Sequence, residues 1–168
     1  MQRGVLYLVT IMDWFSRKVL AWQLSNSVDA VLCVEALKET LAKYSAPEIY
    51  NTDEGSQVTS GDWADVLTDV KLKISRDGKG GWIKNCIIER LWRSLKDECV
   101  YLHVLSGSQA KAGIGKWMAY YNTERPHATC GIMTHGILTP DEAYARQTEP
   151  VRLAAGHETM VYFNKAAK

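Results

Sequence analysis

Two acidic residues, Asp53 and Glu89, stand where a chain could present carboxylates on rigid elements. Asp53 follows a short run, Glu48–Asn51, that is typical of a strand, and it lies in a loop that contains Gly55. A side chain in such a loop lies at the edge of a sheet rather than inside it. Glu89 lies beside an apolar stripe with helical spacing, formed by Ile88, Leu91, Trp92 and Leu95.

Basic side chains accompany the second carboxylate. Arg93 and Lys96 follow Glu89 at i+4 and i+7, so one polar helix face carries a carboxylate and two cations. Hard divalent cations take oxygen ligands and are commonly held by one or two carboxylates together with phosphate oxygens. The pattern predicts a site that binds divalent metal and acts on phosphodiesters. Spacing alone leaves an alternative, in which Asp53 is a turn residue and Glu89 forms an ordinary surface pair with Arg93.

Overall charge does not indicate a nucleic-acid partner, because the formal net charge of the 168-residue chain is only +1. A DNA-binding surface must therefore be local. The candidates lie close in sequence to the two carboxylates and are Arg76, Lys79, Lys84, Arg90, Arg93 and Lys96.

Composition predicts one ordinary soluble domain, with 46% hydrophobic and 23% charged residues. The four cysteines show no metal-binding spacing and are interpreted as reduced thiols of a cytosolic protein. We find no signal peptide and no apolar run near the ~18 to 20 residues that a membrane span needs.

Strands and helices alternate along the chain, which predicts an α/β architecture. Two β-rich runs, Val5–Met12 and Val19–Leu24, predict a hairpin, and Asp13 is expected to cap the turn between them. Further strands are expected at Glu48–Asn51 and Leu72–Ser75. Helical stripes are predicted at Ala30/Val34/Leu37/Leu41, at Trp63/Val66/Leu67/Val70, at Ile88/Leu91/Trp92/Leu95 and at Ile114/Trp117/Met118/Tyr121, and a short helix should begin at Pro140.

Several phrases, taken together, resemble one protein family. Thr52-Asp-x-Gly-Ser-Gln-x-Thr59 is followed, with 35 residues between Asp53 and Glu89, by Asn85-x-x-Ile-Glu-Arg-Leu-Trp-Arg-Ser-Leu-Lys96. Tyr7–Trp22, Tyr120–His127 and Thr139–Tyr144 extend the likeness. The chain resembles the catalytic core of insertion-sequence transposases related to retroviral integrases.

This resemblance implies an RNase H-like mixed sheet flanked by helices over residues 1–146, followed by a tail, 147–168, without an evident role. It implies DNA cleavage and strand transfer with Mg²⁺ or Mn²⁺, with Asp53 and Glu89 as catalytic metal ligands and with Arg90, Arg93, Lys96, Lys79 and Lys84 contacting DNA. The implied partners are transposon ends, target DNA and a second transposase copy, either in a homo-oligomer or as a full-length transposase, without a membrane. The implied location is the bacterial cytoplasm.

One departure from the family is expected to matter. The family's first catalytic Asp lies on a central first strand upstream of the hairpin, and this sequence begins after that point. We therefore expect a sheet short of that strand, with the hairpin and the Asp53 strand lacking a neighbour. Two alternatives remain: a catalytically inactive remnant that at most binds DNA or a full-length partner, and a metal-dependent RNase H-like nuclease.

Overall fold

The computed structural model describes residues 5–27, 29–44, 46–47, 49–52, 73–76, 82–102, 107–127, 137–146 and 158–167. The strands within these ranges are β1 (Leu6–Asp13), β2 (Val19–Ser25), β3 (Ile49–Thr52), β4 (Lys73–Arg76) and β5 (Glu158–Ala167). The helices are α1 (Ala30–Lys43), α2 (Trp82–Leu95), α3 (Gly107–Thr123) and α4 (Pro140–Arg146). A π-helical turn, Lys96–Val100, extends α2. The helix predicted around residues 63–70 lies outside the described residues.

The five strands form one mixed sheet in the order β2-β1-β5-β3-β4. The hairpin β1–β2 is antiparallel, as predicted, whereas β3 and β4 are parallel. Helices pack on both faces of this sheet. The expected α/β fold with a mixed, helix-flanked sheet is confirmed.

The centre of the sheet is occupied by β5, which comes from the segment expected to have no evident role. It runs antiparallel to β1 along Leu6–Asp13 and parallel to β3 along Ile49–Thr52. The expectation that β1 and β3 would lack a neighbour is therefore wrong. Backbone groups in the middle of a sheet need hydrogen-bonding partners, and β5 supplies them.

Strand β1 is largely apolar because both of its faces are covered. Leu8 and Met12 face a cluster built from α2 and α3, while Val9 and Ile11 face a cluster that includes α1. Successive side chains of a strand point to opposite faces, so this single run joins the two cores.

The helical stripes place three of the described helices against the sheet. In α2 and α3 the buried side chains are the predicted ones: Ile88, Leu91, Trp92, Leu95, Ile114, Trp117, Met118 and Tyr121. In α1 the buried set is instead Cys33, Ala36, Leu37 and Thr40. The predicted Val34 and Leu41 are only half-buried and pack against the margin of this cluster.

Helix α4 begins at Pro140, as predicted, and is capped reciprocally. The Glu142 amide donates to Thr139 Oγ1 at 3.3 Å, and the Thr139 amide donates to Glu142 Oε2 at 2.9 Å. Cys33, Cys86 and Cys99 are free thiols. No helix in the described part of the chain is long and apolar enough to span a membrane.

Candidate functional site

Glu89 lies exposed on α2, as the sequence predicts, while its neighbour Ile88 is buried. With Arg93 and Lys96 it lines a shallow depression of ≈ 320 Å³. Asp97, Trp92 and Tyr101 complete the lining. The structure thus brings together the carboxylate and two of the cations that the helical spacing predicted.

Arg90 belongs to a different site, because consecutive residues of a helix point about 100° apart. It lines a second, open pocket of ≈ 290 Å³ between α2 and the segment that follows α3. We call this the arginine pocket, and its lining includes Arg17, Arg90, Ser94, Arg125 and His127. The candidate DNA-binding residues of α2 are therefore divided between two neighbouring surfaces.

For the other predicted site residues the structure describes the backbone at most. Strand β3 ends at Thr52, so Asp53 follows the strand directly in sequence, but Asp53 lies outside the described residues, as does Lys79. Lys84 falls within the first turns of α2. Arg76 is the last residue of β4 rather than the first of a loop.

Asp13 caps the hairpin turn, which confirms its predicted role. It is fully buried, and its Oδ2 accepts hydrogen bonds from the Ser16 amide at 2.8 Å and from Ser16 Oγ at 2.5 Å. The Asp13 amide donates to the Lys18 carbonyl at 2.9 Å, which closes the turn. A carboxylate so engaged inside the fold is a structural group of the hairpin.

Strand β5 brings no carboxylate to the end of β3 where Asp53 follows. Glu158, the first residue of β5, pairs with Ile49 at the opposite end of β3, and Thr52 pairs with Val161. Within the described ranges no group of three or more His, Cys, Asp or Glu side chains is arranged to hold a metal ion. The donor chemistry of Glu89 nevertheless fits a hard divalent cation, since it is an exposed carboxylate, while the two cations beside it suit phosphate oxygens.

Three residues of the arginine pocket were not identified from the sequence: Arg17, Arg125 and His127. Arg125 Nη1 donates to Glu98 Oε2 at 2.6 Å, and Trp117 Nε1 donates to the same oxygen at 3.0 Å. These residues come from the hairpin and from beyond α3, so only the fold brings them together. The Arg125-Pro126-His127 phrase was the available signal, although it indicated only a helix end.

His127 lies half-buried in the arginine pocket. Its amide donates to the Leu138 carbonyl at 2.9 Å, and its ring meets Tyr121 edge-on at 4.8 Å between centroids. Burial, reinforced by the positive charges of Arg125 and Arg17, lowers the pKa of His127 to about 4. The imidazole is therefore neutral at pH 7.

The hairpin loop that carries Arg17 is held in place by its neighbour Lys18. Lys18 Nζ lies 3.1 Å from Asp141 Oδ1 in α4 and 4.7 Å from the Tyr144 ring centroid. Arg17 has a left-handed φ of 63°, and its amide donates to the Asp13 carbonyl at 3.0 Å. The turn and the lysine contacts together direct residue 17 toward α2.

Comparison with known protein families decides what this fold is. Two family models, both described as integrase core domain, match residues 1–80 and 69–134. The chain belongs to the integrase core family. Both the strand that ends before Asp53 and the whole of α2 lie within these matches.

Curated relatives of this integrase core chain include bacterial transposases. It is 33% identical over 132 residues to the transposase InsF for insertion sequence IS3A of Escherichia coli K12. The aligned region covers 76% of this chain and 46% of that relative. It is 32% identical over 131 residues to the transposase for insertion sequence element IS904 of Lactococcus lactis, and this alignment covers 76% of this chain and 52% of that relative. The chain thus spans about half the length of the curated relatives it matches.

Solved structures share the fold of this integrase core. The catalytic core domain of BIV integrase aligns with a TM-score of 0.66 and 16% identity, over 84% of this chain and 86% of that one. The HTLV-2 integrase catalytic core domain in complex with magnesium aligns with a TM-score of 0.52 and 20% identity, over 73% of this chain and 78% of that one. At these identities the likeness establishes the fold.

Proposed function

We propose that this chain is the catalytic core of a DNA transposase that cleaves DNA and transfers strands during the movement of an insertion sequence. The single observation that carries the proposal is the placement of Glu89. It is an exposed carboxylate on α2, a helix with one buried apolar face, and Arg93 and Lys96 lie beside it. The bacterial transposases that are 33% identical to it over 132 residues and 32% identical over 131 residues support the same activity.

Asp53 and Glu89 would hold the metal, Mg²⁺ or Mn²⁺. The bound metal would activate a water or 3′-hydroxyl nucleophile and stabilise the leaving oxygen of an in-line displacement. The HTLV-2 neighbour was solved in complex with magnesium, which supports this choice of ion. The chain's own part is to fix Glu89 on α2, whose buried stripe sets the direction of the carboxylate.

Arg93 and Lys96 would contact the phosphates of the DNA strand next to Glu89, and Lys79 and Lys84 would extend that surface. Phosphate contacts position the nucleic acid without reading its sequence, so transposon-end recognition must come from other contacts. The partners we propose are transposon ends, target DNA and a further transposase copy, in the bacterial cytoplasm. The trimeric and dimeric forms of the HTLV-2 integrase core support an oligomer.

Metal binding tests the proposal directly. Mn²⁺ added to the isotopically labelled chain should broaden NMR signals around Glu89, and the variants Asp53→Asn and Glu89→Gln should each remove most of that broadening. Glu35→Gln, which neutralises an exposed carboxylate on α1, is the matched control and should change nothing. In a full-length transposase that carries this core, metal-dependent cleavage of transposon-end DNA should be lost in the same two variants.

Broadening that survives both variants would place the metal elsewhere and overturn the assignment. The Asp13→Asn variant separates structure from catalysis, because Asp13 holds the hairpin turn. It should lower the unfolding temperature while leaving Mn²⁺ broadening at Glu89 intact.

A further inference from the structure

The arginine pocket is a concave basic surface distinct from the depression at Glu89. Three guanidinium groups line it, from the hairpin loop, from α2 and from the segment after α3. None of the described residues that line it is a carboxylate. Its volume of ≈ 290 Å³ lies at the lower limit of ordinary ligand pockets, which measure about 300–1,000 Å³.

The cations are held in place rather than merely clustered. Arg125 is fixed by Glu98, whose two carboxylate oxygens both contact Nη1 of its guanidinium, and the N–H groups on Nη2 and Nε can bind a second anion. Arg17 is directed by the turn that Asp13 closes. Three guanidinium groups that converge on one pocket favour a negatively charged ligand there.

His127 adds an independent observation. Its Nε2 is buried and has no hydrogen-bonding partner in the described part of the chain. A buried polar atom left without a partner costs about 1–3 kcal/mol. A neutral imidazole that carries its proton on Nε2 can donate that hydrogen to an anion without requiring a further positive charge in the pocket.

We propose that the arginine pocket binds a phosphate group through Arg17, Arg90, Arg125 and His127, and that on DNA this group is a backbone phosphate next to the one at the metal centre. The DNA part of this proposal rests on the proposed function. Arg90 directly follows Glu89 on α2, so a strand that enters the pocket passes the catalytic carboxylate. The pocket would thereby set the position of the strand along α2.

Binding of inorganic phosphate to the full chain tests the pocket without any catalysis. NMR titration should shift the His127 ring signals, and Arg17→Gln and Arg90→Gln should each weaken phosphate binding about tenfold, as expected for loss of a charge-assisted hydrogen bond. Arg146→Gln removes an exposed arginine at the end of α4 and is the control; it should leave the titration unchanged. Unshifted His127 signals, or equal weakening by the control, would overturn the pocket.

Binding of duplex DNA without metal distinguishes the source of the phosphate. Arg17→Gln and Arg90→Gln should weaken binding to unrelated sequences alike and reduce the salt slope by about one, whereas Arg146→Gln should not. Phosphate binding with unaltered DNA affinity would assign the pocket to free or terminal phosphate and overturn the backbone placement. If the unaltered chain binds phosphate but Mn²⁺ causes no broadening around Glu89, the metal centre is refuted and the arginine pocket is not.

Discussion

Adjacent residues of α2 serve two surfaces, and this division is a consequence of helix geometry. Glu89 and Arg90 differ by about 100° around the helix axis, so Glu89 faces the depression that it shares with Arg93 and Lys96, and Arg90 faces the arginine pocket. The buried side chains of the same helix lock the rotation that gives each residue its direction. Sequence spacing correctly grouped Glu89, Arg93 and Lys96, but it could not separate Arg90 from them without knowing what packs beside α2.

Glu98 is expected to stabilise the fold by holding Arg125 and Trp117 together. Glu98→Gln should lower the free energy of unfolding by about 1 kcal/mol, a value reduced for the partial exposure of both charged partners. Glu39→Gln breaks the surface pair with Lys43 and is the matched control, expected to cost less than about 0.5 kcal/mol. Urea unfolding of the two variants measures both values, and equal losses would mean that Glu98 is also a mere surface partner.

His127 is expected to make stability depend on pH between about 6.5 and 4. Its pKa is about 4 in the folded chain and 6.5 in the unfolded chain, so below pH 6.5 the unfolded state binds the proton first. The free energy of unfolding should therefore be highest above pH 6.5, fall as pH drops toward 4, and lose no more to this group below that. Arg125, Arg17 and Glu98 are the charged groups that face the imidazole.

Urea unfolding at pH 7.5, 5.5 and 4.5 measures this dependence. In His127→Gln the slope of the unfolding free energy against pH should fall by the equivalent of up to about one bound proton. An unchanged slope in His127→Gln would show that other groups cause the acid sensitivity. Phosphate bound in the arginine pocket should shift the folded-state pKa of His127 upward and weaken the dependence.

At the scale of elements, the sequence predicted what depends on local pattern and missed what depends on distant pairing. The stripes of α2 and α3 could be predicted because the 3.6-residue spacing of apolar residues is visible within one short stretch of sequence. The buried face of α1 differs slightly from the predicted stripe, since Cys33 and Ala36 are fully buried while Val34 and Leu41 are only partly buried. The place of β5 could not be found, because its partners are more than a hundred residues away and no local signal fixes that register.

Helix α4 has only seven residues, so its capping box is expected to matter. Thr139→Ala removes the side-chain acceptor for the Glu142 amide and should cost about 1 kcal/mol. It should also raise amide hydrogen exchange in α4 and loosen Lys18 from Asp141. Thr123→Ala, which removes only an exposed hydroxyl bond at the end of α3, is the control. Equal exchange in α4 for both variants would contradict a role for the cap.

At the scale of the whole molecule, β5 joins two parts of the fold that are otherwise separate in the sheet. On one side lies the hairpin β1–β2, and on the other lies the parallel pair β3–β4, whose strand β3 ends one residue before Asp53 in sequence. The place of β3 in the sheet thus depends on a strand near the end of this sequence. The segment 147–168, predicted to be a tail outside a core of residues 1–146, contributes β5 to the sheet of that core.

The strand β5 is expected to be essential for folding. Val161 pairs with both Ile11 and Thr52, and Val161→Pro removes a backbone donor from the middle of the sheet. The loss should reach about 3 kcal/mol or more, a large share of the roughly 5–15 kcal/mol that holds a domain folded. Lys168→Pro, immediately after the last residue of β5, is the matched control and should leave unfolding unchanged. A chain that ends at residue 146 should lose cooperative unfolding altogether, because β1 and β3 would expose unpaired edges. Cooperative thermal unfolding of that shortened chain, at the temperature of the full one, would show that β5 is dispensable.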